Sequence, residues 1–237
     1  VAEYVVLKAR RDNKETAVIT GWKLENGRDR RPVQVSRFAE KTLRAVTVKI
    51  PFGAALWLGA DSVNMPITLA PGDFAYVITG NPRSHGDLRV RQSFRTNKCI
   101  GYLADDEGNT FVPRLPARAC PDPVAELGTE GLSIACFNFV RRLPSCHTPD
   151  TEPYRDRDDK LIRYHLDGVT GLSNICRAWV KERFNYYACV QEHLLDEDFY
   201  GPEWRIFLKR DWELWSKEHE VITLYDELGR LVDQISY

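Results

Sequence analysis

Apolar and polar residues alternate with period two near both ends of the chain, and this pattern breaks down in the middle. Such alternation marks half-buried β-strands. Tyr4-Val5-Val6-Leu7 forms the first such run, and the polar residues 10–15 after it predict a turn. Val18 to Leu24 predicts a second strand, and Asn26-Gly27 after it signals a tight turn, because both residue types tolerate positive φ. Val33-Gln34-Val35 and Val46 to Ile50 continue the alternation. Ile67-Thr68-Leu69 leads into Pro71-Gly72, the pair that a type II turn requires, and Phe74 to Thr79 predicts the next strand. Near the C-terminus, Val221 to Tyr225, a turn over Asp226 to Gly229, and Leu231 to Ile235 predict a hairpin.

The middle of the chain has a different rhythm. Residues 100–135 are rich in Gly, Pro and Asp and predict a long loop. From 131 to 215 the spacing turns helical. Ile175, Trp179, Val180, Phe184 and Tyr187 share a helical period between Leu172 and Leu194, and Trp204 and Trp212 are eight apart within a second apolar stretch. The segment Gly131 to Val140 is similar to Gly171 to Val180. Each carries a Ser (Ser133, Ser173) placed as an N-cap, then a Cys and an aromatic three apart, Cys136 with Phe139 and Cys176 with Trp179. Two short helical units, each with a further cysteine downstream, predict a bridged helical insertion.

With 237 residues, the chain fits one large domain, or one domain carrying an insertion. The formal net charge of -1 gives no global drive toward nucleic acid or an anionic membrane. The distribution is uneven, however. Residues 1–50 hold 12 Lys/Arg against 6 Asp/Glu, whereas 190–237 hold 5 against 12. If the terminal strands lie side by side, these charges neutralise each other. The chain opens on Val1, which is compatible with removal of a leader, and no apolar run reaches the ~20 residues that span a bilayer.

The 6 cysteines are Cys99, Cys120, Cys136, Cys146, Cys176 and Cys189. An even set without a C-x-x-C pair, together with a single Met, leans toward an oxidising compartment and away from a zinc ribbon. Loop entropy favours neighbouring pairs, Cys99–Cys120, Cys136–Cys146 and Cys176–Cys189. A bridge between the two repeat-like helices, Cys136 to Cys176, is the alternative.

Glu3 to Leu7, followed by Ile19-Thr20-Gly21-Trp22-Lys23-Leu24, resembles the opening of the lamin tail domain family, in which the Gly-Trp strand supplies a core aromatic. Leu69-Ala70-Pro71-Gly72-Asp73 with Tyr76-Val77 is similar to that family's loop and strand, and Leu224 to Tyr237 to its last hairpin. Ser93 to Cys99 and Phe199 to Arg205 also resemble elements of cysteine-bearing lamin-tail proteins of small-genome bacteria. The resemblance implies a mainly β fold: an immunoglobulin-like β-sandwich from residues 1–93 and 220–237, with a largely helical, disulfide-stapled insertion from 94–219. It also implies a non-catalytic, secreted or cell-surface interaction module that binds a protein or surface partner.

Motifs for other chemistry are weak. His85, His147, His165, His193 and His219 form neither H-x-H nor H-E-x-x-H, so no metal is expected. The acidic runs Asp156 to Asp159 and Asp196 to Asp198 lack the spacing of an EF-hand loop and read as solvated turns. No nucleophile elbow or phosphate loop is present, so neither a catalytic residue nor a cofactor is expected. Trp57, Trp179, Trp204, Trp212 and Trp215 are candidates for a binding groove but read first as core, as does Trp22. Two alternatives stand beside the interaction module. One is an accessory nucleic-acid-binding domain using Arg10, Arg11, Arg28, Arg30 and Arg31, whose affinity falls steeply with salt. The other is a hydrolase site in the insertion, which requires a cleft with perturbed carboxylates or histidines.

Overall fold

Backbone hydrogen bonding sorts the alternating segments into a mainly β structure. The structure is a computed structural model, and it describes residues 3–27, 31–43, 46–54, 64–85, 88–106, 108–128, 131–149, 166, 169–215 and 220–236. In chain order the elements are β1 (Tyr4–Lys8), β2 (Ala17–Val18), β3 (Lys23–Asn26), β4 (Arg31–Ser36), β5 (Ala39–Leu43), β6 (Thr47–Lys49), β7 (Gly53–Ala54), β8 (Thr68–Leu69) and β9 (Phe74–Ile78). There follow β10 (Arg83–Ser84), β11 (Ser93–Asn97), α1 (Gly101–Asp105), β12 (Asn109–Thr110), α2 (Ile134–Val140), α3 (Asn174–Arg183), α4 (Tyr186–His193), β13 (Tyr200–Phe207), β14 (Val221–Tyr225) and β15 (Leu231–Ser236).

The larger sheet has 5 strands in the order β1-β9-β13-β11-β7, and a second has 4 in the order β15-β14-β3-β6. One hydrophobic cluster joins them. Ala75, Val77, Trp204 and Ile206 of the first sheet meet Leu24, Val48, Ile222 and Leu224 of the second. Trp22, Trp212 and Trp215 pack into or against the same cluster. The β14–β15 hairpin lies against β3, so the acidic C-terminal segment neighbours one N-terminal strand, while β1 pairs with β9 instead.

Local chemistry explains several joints. Ala70-Pro71-Gly72-Asp73 closes a turn in which the Asp73 N–H donates to the Ala70 carbonyl at 2.9 Å, and Gly72 takes φ +95°, as its lack of a Cβ permits. Gly53 has no room for a side chain, since a Cβ there falls 2.8 Å from the Trp204 ring. The Asn26-Gly27 pair departs from the predicted tight turn. Asn26 ends β3, is 1 % exposed, donates to the Leu214 carbonyl at 2.8 Å and accepts from the Val46 N–H. Its amide is thus committed to core hydrogen bonds between three segments, and tertiary burial overrides the local turn preference.

The stretch 94–219 contributes more than helices. β11 and β13 fall within it, and both are hydrogen-bonded into the same sheet as β1 and β9. The helical reading of Trp204 onward is corrected by β13, a strand in the middle of the larger sheet. Its second half, Trp204 to Phe207, is buried on both faces, and a short apolar and aromatic stretch of that kind cannot be told from a buried helix by period. Leu172 to Leu194 does fold as helix, in two pieces, α3 and α4.

The far face of the larger sheet is covered too. Ile78, Phe94 and Phe207 project from it into a second cluster with Phe111, Leu115, Tyr186 and Phe199. A third cluster joins α2 to α3. No helix among the described residues is long and apolar enough to cross a membrane.

Two predictions follow from these contacts. Trp204, 1 % exposed, fills the space between the sheets, and its indole Nε1–H donates to the Thr68 carbonyl at 2.9 Å. Trp204→Ala is expected to cost about 3–5 kcal/mol in denaturant unfolding, and a loss below 1 kcal/mol is incompatible with this packing. In the C-terminal turn, Asp226 accepts from the Leu228 and Arg230 N–H groups and from the Arg230 guanidinium. These bonds, the Arg230 N–H first, hold its carboxyl below the ordinary 3.8. A depressed carboxylate stabilises the fold above pH 3.8 and loses that contribution as pH falls through its lower folded value. Asp226→Asn is expected to flatten the acid limb of unfolding free energy against pH, and an acid limb identical to the native one contradicts the assignment.

Candidate functional site

The cysteines organise the region that covers the sheet. Cys99 pairs with Cys189, Cys120 with Cys146, and Cys136 with Cys176. The neighbour scheme is therefore corrected at every bridge, and the alternative between the two repeat-like helices is the one found. Loop entropy was a poor guide because it grows slowly, by about 0.6 kcal/mol per doubling of loop length, so packing decides the partners. The first bridge encloses the other two, which cross each other in sequence.

The sequence repeat has a structural counterpart. The Ser133 hydroxyl caps α2 by accepting from the Cys136 N–H, and the Ser173 hydroxyl caps α3 by accepting from the Cys176 N–H. The cap residue sets where each helix begins, and so turns both cysteines toward the shared cluster in which they bond.

Next to this pair, α3 and α4 bound an open groove of about 300 Å³. The α3 side presents Trp179, Glu182 and Arg183, and the α4 side presents Ala188, Gln191 and Glu192. Both triples have the spacing i, i+3, i+4, which places them on one helix face. Glu126, from the loop before α2, completes the lining. Three carboxylates thus face one guanidinium. That guanidinium already lies over the indole, with the Arg183 carbon 5.9 Å from the Trp179 ring centre.

Several bonds hold the groove in shape. Arg183 Nε donates to the Glu126 carbonyl at 3.0 Å. His193 sits between two carboxylates, with Nδ1 2.8 Å from Asp196 and Nε2 3.2 Å from Glu126. Asp196 and Asp198 also accept from Lys98 Nζ. The Asp196 carboxyl is held below its ordinary value, first by Lys98 and then by His193, and Lys98 is raised, first by its bond to Asp196. Asp196 and Asp198 thus pair with the half-buried Lys98, and no group of three or more His, Cys, Asp and Glu side chains that could hold a metal ion is found among the described residues.

Arg10 and Arg11 are exposed in the turn after β1, and Arg10 faces Asp12 at 3.6 Å. Arg31 begins β4 with its side chain outside the described residues, as are Arg28, Arg30, Trp57, His165, His219 and Asp156 to Asp159. His147 pairs with Asp105 at 2.8 Å, and His85 is exposed. Of the tryptophans, Trp204 and Trp215 are core, while Trp179 is half-buried at the groove. The groove's helical triples were readable in the sequence as i, i+3, i+4 sets, but Glu126 carries no local signal. No protein-family model, curated protein or solved structure matches the chain.

The His193 clasp is open to a direct test. His193→Ala removes one partner from Glu126 and from Asp196, which keeps Lys98, and is expected to lower the urea unfolding midpoint at neutral pH. An unchanged midpoint in a urea titration contradicts a structural role for the clasp.

Proposed function

We propose that this chain is an extracytoplasmic, non-catalytic interaction module that presents a disulfide-held binding surface to a protein or surface partner. The observation that carries the reading is the pairing of all six cysteines into one nested and crossed set of bridges. Such bridges persist in oxidising compartments and are rare where thiols are kept reduced. They also rigidify the surface that they cross-link, which lowers the ordering cost of binding.

The frame beneath that surface is read as a lamin-tail-like, immunoglobulin-like sandwich. Supporting this are the two sheets packed on one cluster, Trp22 against that cluster just after Gly21, and the C-terminal hairpin paired to β3. The partner meets the disulfide-bridged side, where the α3–α4 groove opens.

The test is intact mass after thiol alkylation of protein from its native source, with and without reductant. Six blocked cysteines, becoming six alkylated ones after reduction, are expected; six free thiols in the native protein contradict the reading. In addition, Cys99→Ser with Cys189→Ser opens the outermost loop, spanning 90 residues, and is expected to cost about 2–5 kcal/mol of stability. Native-like stability in that double variant contradicts the bridge's role.

A further inference from the structure

We propose that the groove between α3 and α4 receives an arginine side chain of a partner protein. This rests on the interaction-module reading above and names the chemistry of its contact. The groove's volume, about 300 Å³, falls at the small end of the ~300–1,000 Å³ range of ligand pockets and suits a single long side chain rather than a cofactor.

Its lining has the complementary charge. Glu126, Glu182 and Glu192 outnumber the lone Arg183, and because Glu126 is paired with His193, Glu182 and Glu192 are the carboxylates left open to a partner. Glu192 is 3.9 Å from the Arg183 guanidinium with its side chain 56% exposed, and Glu182 is exposed. These two carboxylates keep most of their surface open to an incoming cation. Gln191 adds an amide oxygen that accepts hydrogen bonds.

The shape of the charge favours guanidinium over ammonium. A planar fork bonds carboxylates in pairs and lies against an aromatic ring, whereas an ammonium is a compact, strongly hydrated point charge. The groove already holds one guanidinium in this way: Arg183 sits over Trp179 while donating to the Glu126 carbonyl. A second guanidinium would enter on the side of Glu182, Gln191 and Glu192.

The groove is preorganised for the task. The Cys99–Cys189 bridge fixes α4, Ser173 fixes the start of α3, and His193 fixes the Glu126 side chain. Little ordering therefore remains when a ligand arrives.

The experiment uses the intact, oxidised chain and three capped pentapeptides, Gly-X-Gly-X-Gly with X as Arg, Lys or Glu. Binding is followed by the NMR signals of the Trp179 indole N–H and the Gln191 side-chain amide. The arginine peptide is expected to shift both signals, with an affinity that falls as salt rises. The lysine peptide should bind several-fold more weakly, and the glutamate peptide not at all. Glu182→Gln with Glu192→Gln changes only exposed groups, so the fold survives, and it is expected to weaken the arginine peptide about tenfold, or about 1.4 kcal/mol. Ala188→Trp fills the groove and should abolish the shifts.

Shifts that map outside the groove, equal binding of the lysine peptide, or an unchanged affinity in the Glu182/Glu192 variant would overturn the proposal. These outcomes are separate from the fate of the module reading. Free thiols sink the extracytoplasmic module and leave the peptide titration to decide the groove, whereas an unchanged variant affinity sinks the groove alone.

Discussion

Strand β13 is packed on both faces, and both covering layers depend on it. Trp204 and Ile206 point into the cluster shared with the second sheet, while Arg205 and Phe207 point the other way. Arg205 is 1 % exposed, and its burial is tolerated only because every part of the guanidinium is engaged. It bonds Glu203 and the carbonyls of Pro113 and Arg114, and lies 4.5 Å from the Tyr76 ring centre. The loop at 113–114 is thereby fastened to the middle of the sheet. Removing one partner of such a buried charge typically costs about 3–5 kcal/mol, so a single side chain couples the disulfide-bridged layer to the sandwich.

The bridges extend that coupling outward. Cys99 lies two residues past the end of β11 and holds Cys189 of α4, so the segment leaving the strand beside β13 and the helix lining the groove are covalently joined. Asn97 reinforces the joint: its amide donates to the Tyr186 hydroxyl at 3.0 Å, and its carbonyl oxygen accepts from the Cys99 N–H. Burial, the larger influence, pushes the Tyr186 hydroxyl well above its ordinary value, so it stays protonated. From the sheet centre to the groove, each step is a packed ring, a satisfied buried polar group or a disulfide. A surface carried on such a chain of contacts holds its shape without a ligand, which is what an interaction module requires.

What was legible in the sequence was local. The Pro71-Gly72 turn, the Ser133 and Ser173 caps, the two helical stretches after residue 131 and the terminal hairpin each follow from residues close to one another in the chain. What escaped was decided by distant packing. The strand Tyr200–Phe207 has an ambiguous period because Trp204, Ile206 and Phe207 put apolar groups on both faces and the charged Arg205 between them is buried. Asn26 looks like a turn residue until Leu214 and Val46 claim its amide. The cysteine partners depend on which surfaces meet, and the entropy of loop closure discriminates too weakly to rank them. The groove was barely visible: Trp179 was one of five tryptophans read first as core, and Glu126 enters from a loop whose position only the fold determines.

The central claim is that β13 makes the sandwich and the disulfide-bridged layer one cooperative unit. Native-state hydrogen exchange of the oxidised protein, read residue by residue against rising denaturant, tests it most directly. The account predicts that the amides of Trp204 to Phe207, of β9 and of α4 exchange with one common free energy equal to that of global unfolding. Exchange of α4 at a clearly lower free energy, while β9 and β13 stay protected, would show that the outer layer opens by itself and would contradict the claim.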